Sequence, residues 1–487
     1  MELEDVSLCD LPFELLEIIF EYLSKEDLKV LINFCNRLRD VIIASSITMR
    51  KLKLTLNEDW MENQNFVEKS GKFVKILDFD YCNFEVPEEF LGLIKLMRNI
   101  ESLKLANIHL NAEIFNKKFK ILAIKLNKLM RLDLDNSQAV GKLVRLYLKK
   151  LQVKHLRLDF SHYNVTDEFV KLLWSQQTLD TLELSGFNNI LYQSLFKHNI
   201  SYMIRFPLKR LILNHRVTYN EFYLEFFKVL VSLESLEVYK EVETQEFFNV
   251  VFAMENLRSL ALSTNFVTLK NIDFKKVGNS KIEELILVTR NQYGIEQTIN
   301  YLAMKLLMLR KLKVVNIKTD SSDQMLAFVH LKKLESLHID NSKVKFLQNI
   351  KLDNLQSLHL TNIHPFLKFE DWENFFKNNP KISTLILSHF EVYYVIETIK
   401  SEIDKIIYNL HYIEKSLKHL EIYQELRYQK PMKVYIDIGK DDKIMKVSDS
   451  FIKICREEFH LLRKMKGGLN LSYYADEYFE INNKYLK

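Results

Sequence analysis

The side chains able to do chemistry are scattered along this chain. Thirteen histidines and four cysteines are spread over 487 residues. A pair of metal-ligating histidines on one helix face would stand three or four positions apart. His359 and His364 do not, and His155 and His162 straddle a predicted turn. Cys9, Cys35, Cys82 and Cys455 lie far apart and form no CxxC pair. They read as reduced, mostly buried thiols of an intracellular protein rather than as zinc ligands. The chain has no HExxH, no GxSxG and no Gly-rich phosphate or dinucleotide loop. With only 9 Gly and 6 Pro, its turns must use Asn, Asp and Ser. These patterns give no catalytic constellation, no metal site and no cofactor. The expectation is a protein that is not an enzyme.

Charge and hydropathy narrow the partners. Lys+Arg 69 against Asp+Glu 64 leaves +5, near balance for this length. The basic runs, such as Lys117-Lys118 and Lys332-Lys333, are short and suit solvated faces, so no nucleic-acid partner is expected. No uncharged apolar run reaches the 18 residues of a membrane helix. The start, MELEDVSLCD, is acidic and lacks the basic-then-apolar pattern of a signal peptide. The expectations are no membrane partner and a cytoplasmic and/or nuclear location.

What remains is binding chemistry, and it is periodic. After residue 50 the pattern apolar-x-x-apolar-x-apolar recurs about fifteen times. Clear copies are Ile100 to Leu105, Leu129 to Leu134, Leu179 to Leu184, Leu233 to Val238 and Leu257 to Leu262. The second apolar residue runs from Leu52, Leu77 and Leu103 to Leu358, Leu385 and Leu420, at spacings of 21 to 35 residues. The alternating half of each copy suits a short strand with one buried face. Between copies, Gln245 to Met254 sets Phe247, Phe248, Val251 and Phe252 on one helical face, and Glu370 to Lys377 shows similar spacing. One strand-and-helix unit cannot bury its apolar face alone, whereas a stack buries a continuous core.

Strand side chains alternate, so the residue between the last two apolar positions points away from that core. These positions and their outer neighbours give two candidate surfaces. The early units carry acids, chiefly Asp78, Asp80, Asp133, Asp135 and Asp159. The middle units carry apolar residues, Ile212, Ala261, Ile286, Val288 and Val315. The apolar group is the expected substrate contact, and Asp133, Asp135 and Asp159 would favour a basic segment of that substrate.

The N-terminal segment must be positioned differently. From Leu11 to Leu23 the pattern is helical, with Glu14, Glu17 and Glu21 in one narrow polar stripe. Leu15, Leu16, Ile19 and Leu23 form one apolar stripe, and Leu11, Ile18 and Tyr22 a second. Pro12 suits the first turn. Ser24 and Asp27 form a capping-box-like start for a helix over Lys25 to Asn33, and a third helix fits Asn36 to Ala44. Three short helices cannot hold a stable core unaided, so they must lean on the rest of the chain or on a partner.

The segment resembles an F-box, on Leu11-Pro12, Glu14-Leu15-Leu16, Ile19-Phe20, Tyr22-Leu23, Asp27-Leu28 and Cys35 followed by Arg37 and Arg39. Leu38 stands where many members carry an aromatic residue. The repeat is similar to the leucine-rich repeat, although Ile108, Phe187, Arg216, Glu241 and Phe390 break the Asn/Cys ladder that such repeats often carry. The two resemblances imply an α/β solenoid, a leucine-rich-repeat horseshoe with concave parallel strands and convex helices, preceded by a small all-α F-box. The expected division is 1–50 for the helical module, 51–430 for the solenoid and 431–487 for a closing strand and helix. They further imply a substrate-recognition subunit of a Skp-cullin-F-box type ubiquitin ligase. Leu11, Pro12, Leu15, Ile18, Ile19, Tyr22, Leu23 and Leu28 would bind a Skp-type adaptor and, through it, a cullin. The alternatives are a non-degradative interaction scaffold and an inhibitor-like binding protein.

Overall fold

A computed structural model of the chain describes residues 8–45, 48, 52–56, 64–80, 92, 95–106, 128–135, 153–159, 173, 176–185, 207–214, 224, 227–239, 245–264, 272–273, 276–289, 302–315, 328, 330–340, 347, 350–361, 369–388, 419–424, 432–438 and 469–473. The chain divides into two compact units, Met1–Leu233 and Glu234–Lys487.

The first unit begins with three helices, α1 (Phe13–Tyr22), α2 (Lys25–Phe34) and α3 (Asn36–Ala44). Strand β1 (Leu54–Leu56) and helix α4 (Gln64–Ser70) follow. The strands β2 (Ile76–Asp80), β3 (Ser102–Ala106), β4 (Arg131–Asp135), β5 (His155–Asp159), β6 (Thr181–Ser185) and β7 (Arg210–Leu213) complete it. Each strand pairs in parallel with the next in sequence. The register aligns the repeat copies residue for residue. Leu77, Leu103, Leu132, Leu156, Leu182 and Leu211 form one row, and Leu105, Leu134, Leu158, Leu184 and Leu213 a second, all buried. One copy departs from the expected register. Leu77 pairs with Leu54, two residues after Leu52. Leu52 is instead drawn into the core of the helices, where it is 5% exposed.

The second unit holds β8 (Ser235–Val238), α5 (Gln245–Phe252), β9 (Ser259–Thr264), β10 (Glu284–Thr289), β11 (Lys311–Val315), β12 (Ser336–Asp340) and β13 (Ser357–Thr361). Helix α6 (Phe369–Asn378) and strands β14 (Thr384–Ser388) and β15 (His419–Gln424) continue the pattern. From β8 to β15 the pairing is again parallel and sequential. Two further strands follow, β16 (Met432–Ile438), antiparallel to β15, and β17 (Leu469–Tyr473), antiparallel to β16. β17 has no counterpart among the expected elements. The helix expected to close the chain within 431–487 lies outside the described residues, as do the ladder-breaking positions Ile108, Phe187, Arg216, Glu241 and Phe390.

Physical causes repeat with the period. Successive N–H groups before a strand both donate to one carbonyl in the preceding unit: Glu101 and Ser102 to Lys75 at 2.8 and 3.0 Å, and Glu283 and Glu284 to Arg258 at 2.7 and 2.9 Å. This extends each ladder into the turn and leaves few backbone groups unpaired there. The helices fill the layer beside the leucine rows. α5 buries Phe247, Phe248, Val251 and Phe252, its neighbouring rings meeting edge-to-face at 5.5 and 6.0 Å. α6 buries Trp372, Phe375 and Phe376. The architecture is an α/β leucine-rich-repeat solenoid preceded by a small all-α segment. No helix among the described residues is long and apolar enough to cross a membrane.

Candidate functional site

The three N-terminal helices are sharply bounded. Pro12 is the N-cap of α1, with φ −54° and ψ 150°, so its missing N–H costs nothing there. Ser24 and Asp27 close a full capping box: the Asp27 N–H donates to Ser24 Oγ at 3.1 Å, and the Ser24 N–H donates to Asp27 Oδ2 at 3.2 Å. Cys35 caps α3, its sulfur accepting the Leu38 N–H at 3.4 Å. These breaks fold the helices back on one another. Leu16, Phe20, Leu28, Ile32, Leu38, Val41, Ile42 and Leu52 form their shared core.

The structure divides α1 differently from the two expected stripes, since Leu15 leaves the first for the exposed side and Leu11 leaves the second for the core. Leu16 and Phe20 are fully buried. Leu15, Ile18 and Tyr22, spaced i, i+3, i+7, are 48%, 52% and 67% exposed. Pro12 is exposed, while Leu11, Ile19 and Leu23 are half-buried and pack against the core. Leu28 requires a correction. It is 0% exposed in the helical core and has no surface to offer a partner. Four exposed apolar residues were not in the expected set: Leu8 and Phe13, and on α2 Val30 and Phe34 at i, i+4. Their spacing was visible in the sequence as an apolar pair on the outer face of α2. Exposed large apolar residues at helical spacing on α1 and α2 are the feature of this segment that its own core does not use.

The outward column of the first unit runs Asp78, Lys104, Asp133, Arg157, Glu183 and Ile212 in register. Acid and base alternate across neighbouring strands, which is favourable pairing. Lys53 pairs with Asp78, and Arg157 Nε lies 3.3 Å from Glu183 Oε1. Asp133 is 7% exposed and receives three hydrogen bonds from Arg131 Nε and Nη2 at 2.9 to 3.1 Å. Its carboxylate is held within the column and raises the Arg131 pKa in return. The expected acidic surface therefore loses Asp133. Asp159 is half-buried, and the side chain of Asp135 lies outside the described residues.

In the second unit the column runs Glu237, Ala261, Ile286, Lys313, His338, His359 and Ile386. Ile286 and Val288 on β10 and Val315 on β11 are half-buried neighbours, with Val288 opposite Val315. Ala261 is corrected: it is 1% exposed. Its single methyl stands between the longer Glu237 and Ile286 on strands spaced about 4.8 Å apart. Ile212, in the first unit, is half-buried. His338 and His359 stack at 3.9 Å with an interplanar angle of 11°. Burial first, then the neighbouring His359 and Lys313, pushes the His338 pKa down to about 3. Among the described residues no three His, Cys, Asp or Glu side chains group as a metal site.

Residues 8–48 match the F-box domain family. This segment is an F-box domain. A comparison with curated protein sequences gives no match. Among solved structures, the chain is similar to the Leptospira interrogans LRR protein LIC12759, at 16% identity and a TM-score of 0.32, covering 75% of this chain and 93% of that one. It is also similar to the yeast Rad7 and Elc1 complex, at 15% identity and 0.34, covering 77% and 88%. A third likeness is to the Drosophila Toll–Spatzle complex, at 12% and 0.35, covering 78% and 50%. The fold described above rests on the strand register of this chain. Within the F-box domain, Leu38 fills the position where relatives often carry an aromatic ring, and it is fully buried. The departure therefore falls in the core of the F-box domain, away from the exposed stripe of α1.

Proposed function

We propose that the chain is the substrate-recognition subunit of a Skp-cullin-F-box type ubiquitin ligase. The observation that carries this is the exposed apolar set of the F-box domain, Phe13, Leu15, Ile18, Tyr22, Val30 and Phe34, each at least 42% exposed. A Skp-type adaptor would cover it and link the chain to a cullin. The repeat sheet would hold a protein substrate, with Ile286, Val288 and Val315 as contact residues. The chain would supply no reacting group. Its part is to raise the local concentration of substrate lysines at the ubiquitin carrier.

The test follows from exposure. Leu15→Asp with Ile18→Asp places two charges on the surface and spares the core. It should reduce association with a purified Skp-type adaptor at least tenfold, as expected for truncating interface anchors, with an unchanged melting curve. Retained association would remove the adaptor reading. Ile286→Asp should instead leave adaptor association intact while lowering co-purification of proteins that accumulate when the proteasome is blocked. Unchanged capture would remove Ile286 from the substrate surface.

A further inference from the structure

The four cysteines look isolated in sequence, but the fold brings two of them together. Cys9 lies in the 3-10 turn Leu8–Asp10, and Cys35 caps α3, 26 positions later. Their sulfurs are 3.0 Å apart, and both residues are half-buried and in the thiol form. We propose that Cys9 and Cys35 form a reversible dithiol–disulfide site that locks the Leu8–Asp10 turn onto the N-terminus of α3. A disulfide needs its sulfurs at about 2.05 Å, so bonding asks for roughly 1 Å of travel. The half-buried setting lets a small oxidant reach the pair.

The surroundings assign the roles. Cys35 is the attacking thiol. Its pKa is lowered first by the hydrogen bond from Cys9, then by the Leu38 N–H at the start of α3, with Arg37 contributing further. A thiolate at a helix N-terminus beside a cation is the reactive form. The oxidant is a low-molecular-weight disulfide. The Cys35 thiolate attacks one of its sulfurs, forms a mixed disulfide and releases one thiolate. Cys9 then loses its proton to solvent and attacks Cys35 Sγ, expelling the second thiolate. Two protein thiols are oxidised and one small disulfide is reduced to two thiols.

The consequence is mechanical. Arg37 Nη2 already holds the Leu11 carbonyl at 2.8 Å. The disulfide would add a covalent tie just before Leu11 and Pro12, fixing the chain as it enters α1. The site stands whether or not the helices bind an adaptor, because it is read on the isolated chain.

The full-length protein is equilibrated with excess oxidised glutathione, quenched with iodoacetamide, digested and mapped by mass spectrometry. A linked peptide joining Cys9 to Cys35, lost on reduction, is the expected result. Exchange of the amides at 8–11 should slow by about tenfold or more in the oxidised protein, because the cross-link restricts the opened state. In Cys9→Ser, Cys35 should be trapped as its glutathione mixed disulfide. Alkylation of both thiols without linkage, or Cys35 linked to Cys82 or Cys455, would overturn the proposal. An unreacted Cys35 in Cys9→Ser would overturn its role as the attacking thiol.

Discussion

His338 shows how one residue couples packing to solution conditions. Its imidazole stacks on His359 at 3.9 Å, with Lys313 on the neighbouring strand in the same column. Burial, His359 and Lys313 together oppose its protonation, and its pKa falls to about 3. In the unfolded chain an imidazole takes up its proton near pH 6.5. Above that pH neither state binds the proton, so the group has no effect on stability. As pH falls through about 6.5 toward 3, the unfolded state gains a proton that the folded state refuses, and stability declines. Urea midpoints should therefore drop between pH 7 and pH 5. In His338→Gln the drop should be smaller, because the titrating group is gone. Identical slopes in the two proteins would show that other groups set the acid limb. The repeat spacing alone makes His338 and His359 neighbours, each between the last two apolar residues of its copy; the stacking of the rings and their burial appear only in the structure.

At the scale of elements, one asparagine ties a helix to the unit before it. Asn379 follows α6 and is 0% exposed. Its side-chain N–H groups donate to the Ile350 and Phe375 carbonyls at 2.9 and 2.8 Å, and its Oδ1 accepts the Leu352 N–H at 2.8 Å. Asn379→Ala leaves those backbone groups buried without these bonds, which should cost about 2–4 kcal/mol. A urea titration should show the lower midpoint, and a loss under 1 kcal/mol would mean that water replaces the amide. Much of this level was legible. The leucine rows follow a strict period because parallel strands stack only with like over like, and α5 and α6 announce themselves by apolar spacing. The misreadings share one cause. Leu54 replaces Leu52 in the ladder because Leu52 is claimed by a second core, and Ala261 is covered because its neighbours are longer. The acids Asp78 and Asp133 read as one cluster, yet the register sets Lys104 between them. Each error concerns the size and pairing of side chains that meet across the sheet or at its end, which the repeat spacing orders but does not weigh.

At the scale of the molecule, the open point in the sequence was what supports three helices too short to support themselves. The structure answers with the residues that follow them. Leu52 enters the helical core, and Phe66 and Phe73 pack against it. Ser70 Oγ donates to Asn33 Oδ1 at 2.5 Å, Lys29 Nζ lies 5.5 Å from the Phe66 ring centre, and the Arg39 guanidinium lies 5.0 Å from that of Phe73. A boundary at residue 50 therefore cuts through a packed core, although every exposed apolar residue of the F-box domain precedes it. A fragment of residues 1–50 keeps the exposed apolar residues of α1 and α2 and loses their support. Losing Leu52 alone removes about 1.5–3 kcal/mol of burial, and the two phenylalanines add to this, enough to leave a small helical end mostly unfolded. Apparent affinity falls in proportion to the folded fraction. The 1–50 fragment should bind a Skp-type adaptor on the order of 10- to 100-fold more weakly than the full chain, with weak helical circular dichroism when free. A fragment of residues 1–80, which restores Leu52, Phe66 and Phe73, should recover most of both signals. If 1–50 binds as tightly as the full chain, the helices are self-sufficient and the first repeat contributes nothing to their order. If neither fragment binds while the full chain does, the support extends further into the sheet than Phe73.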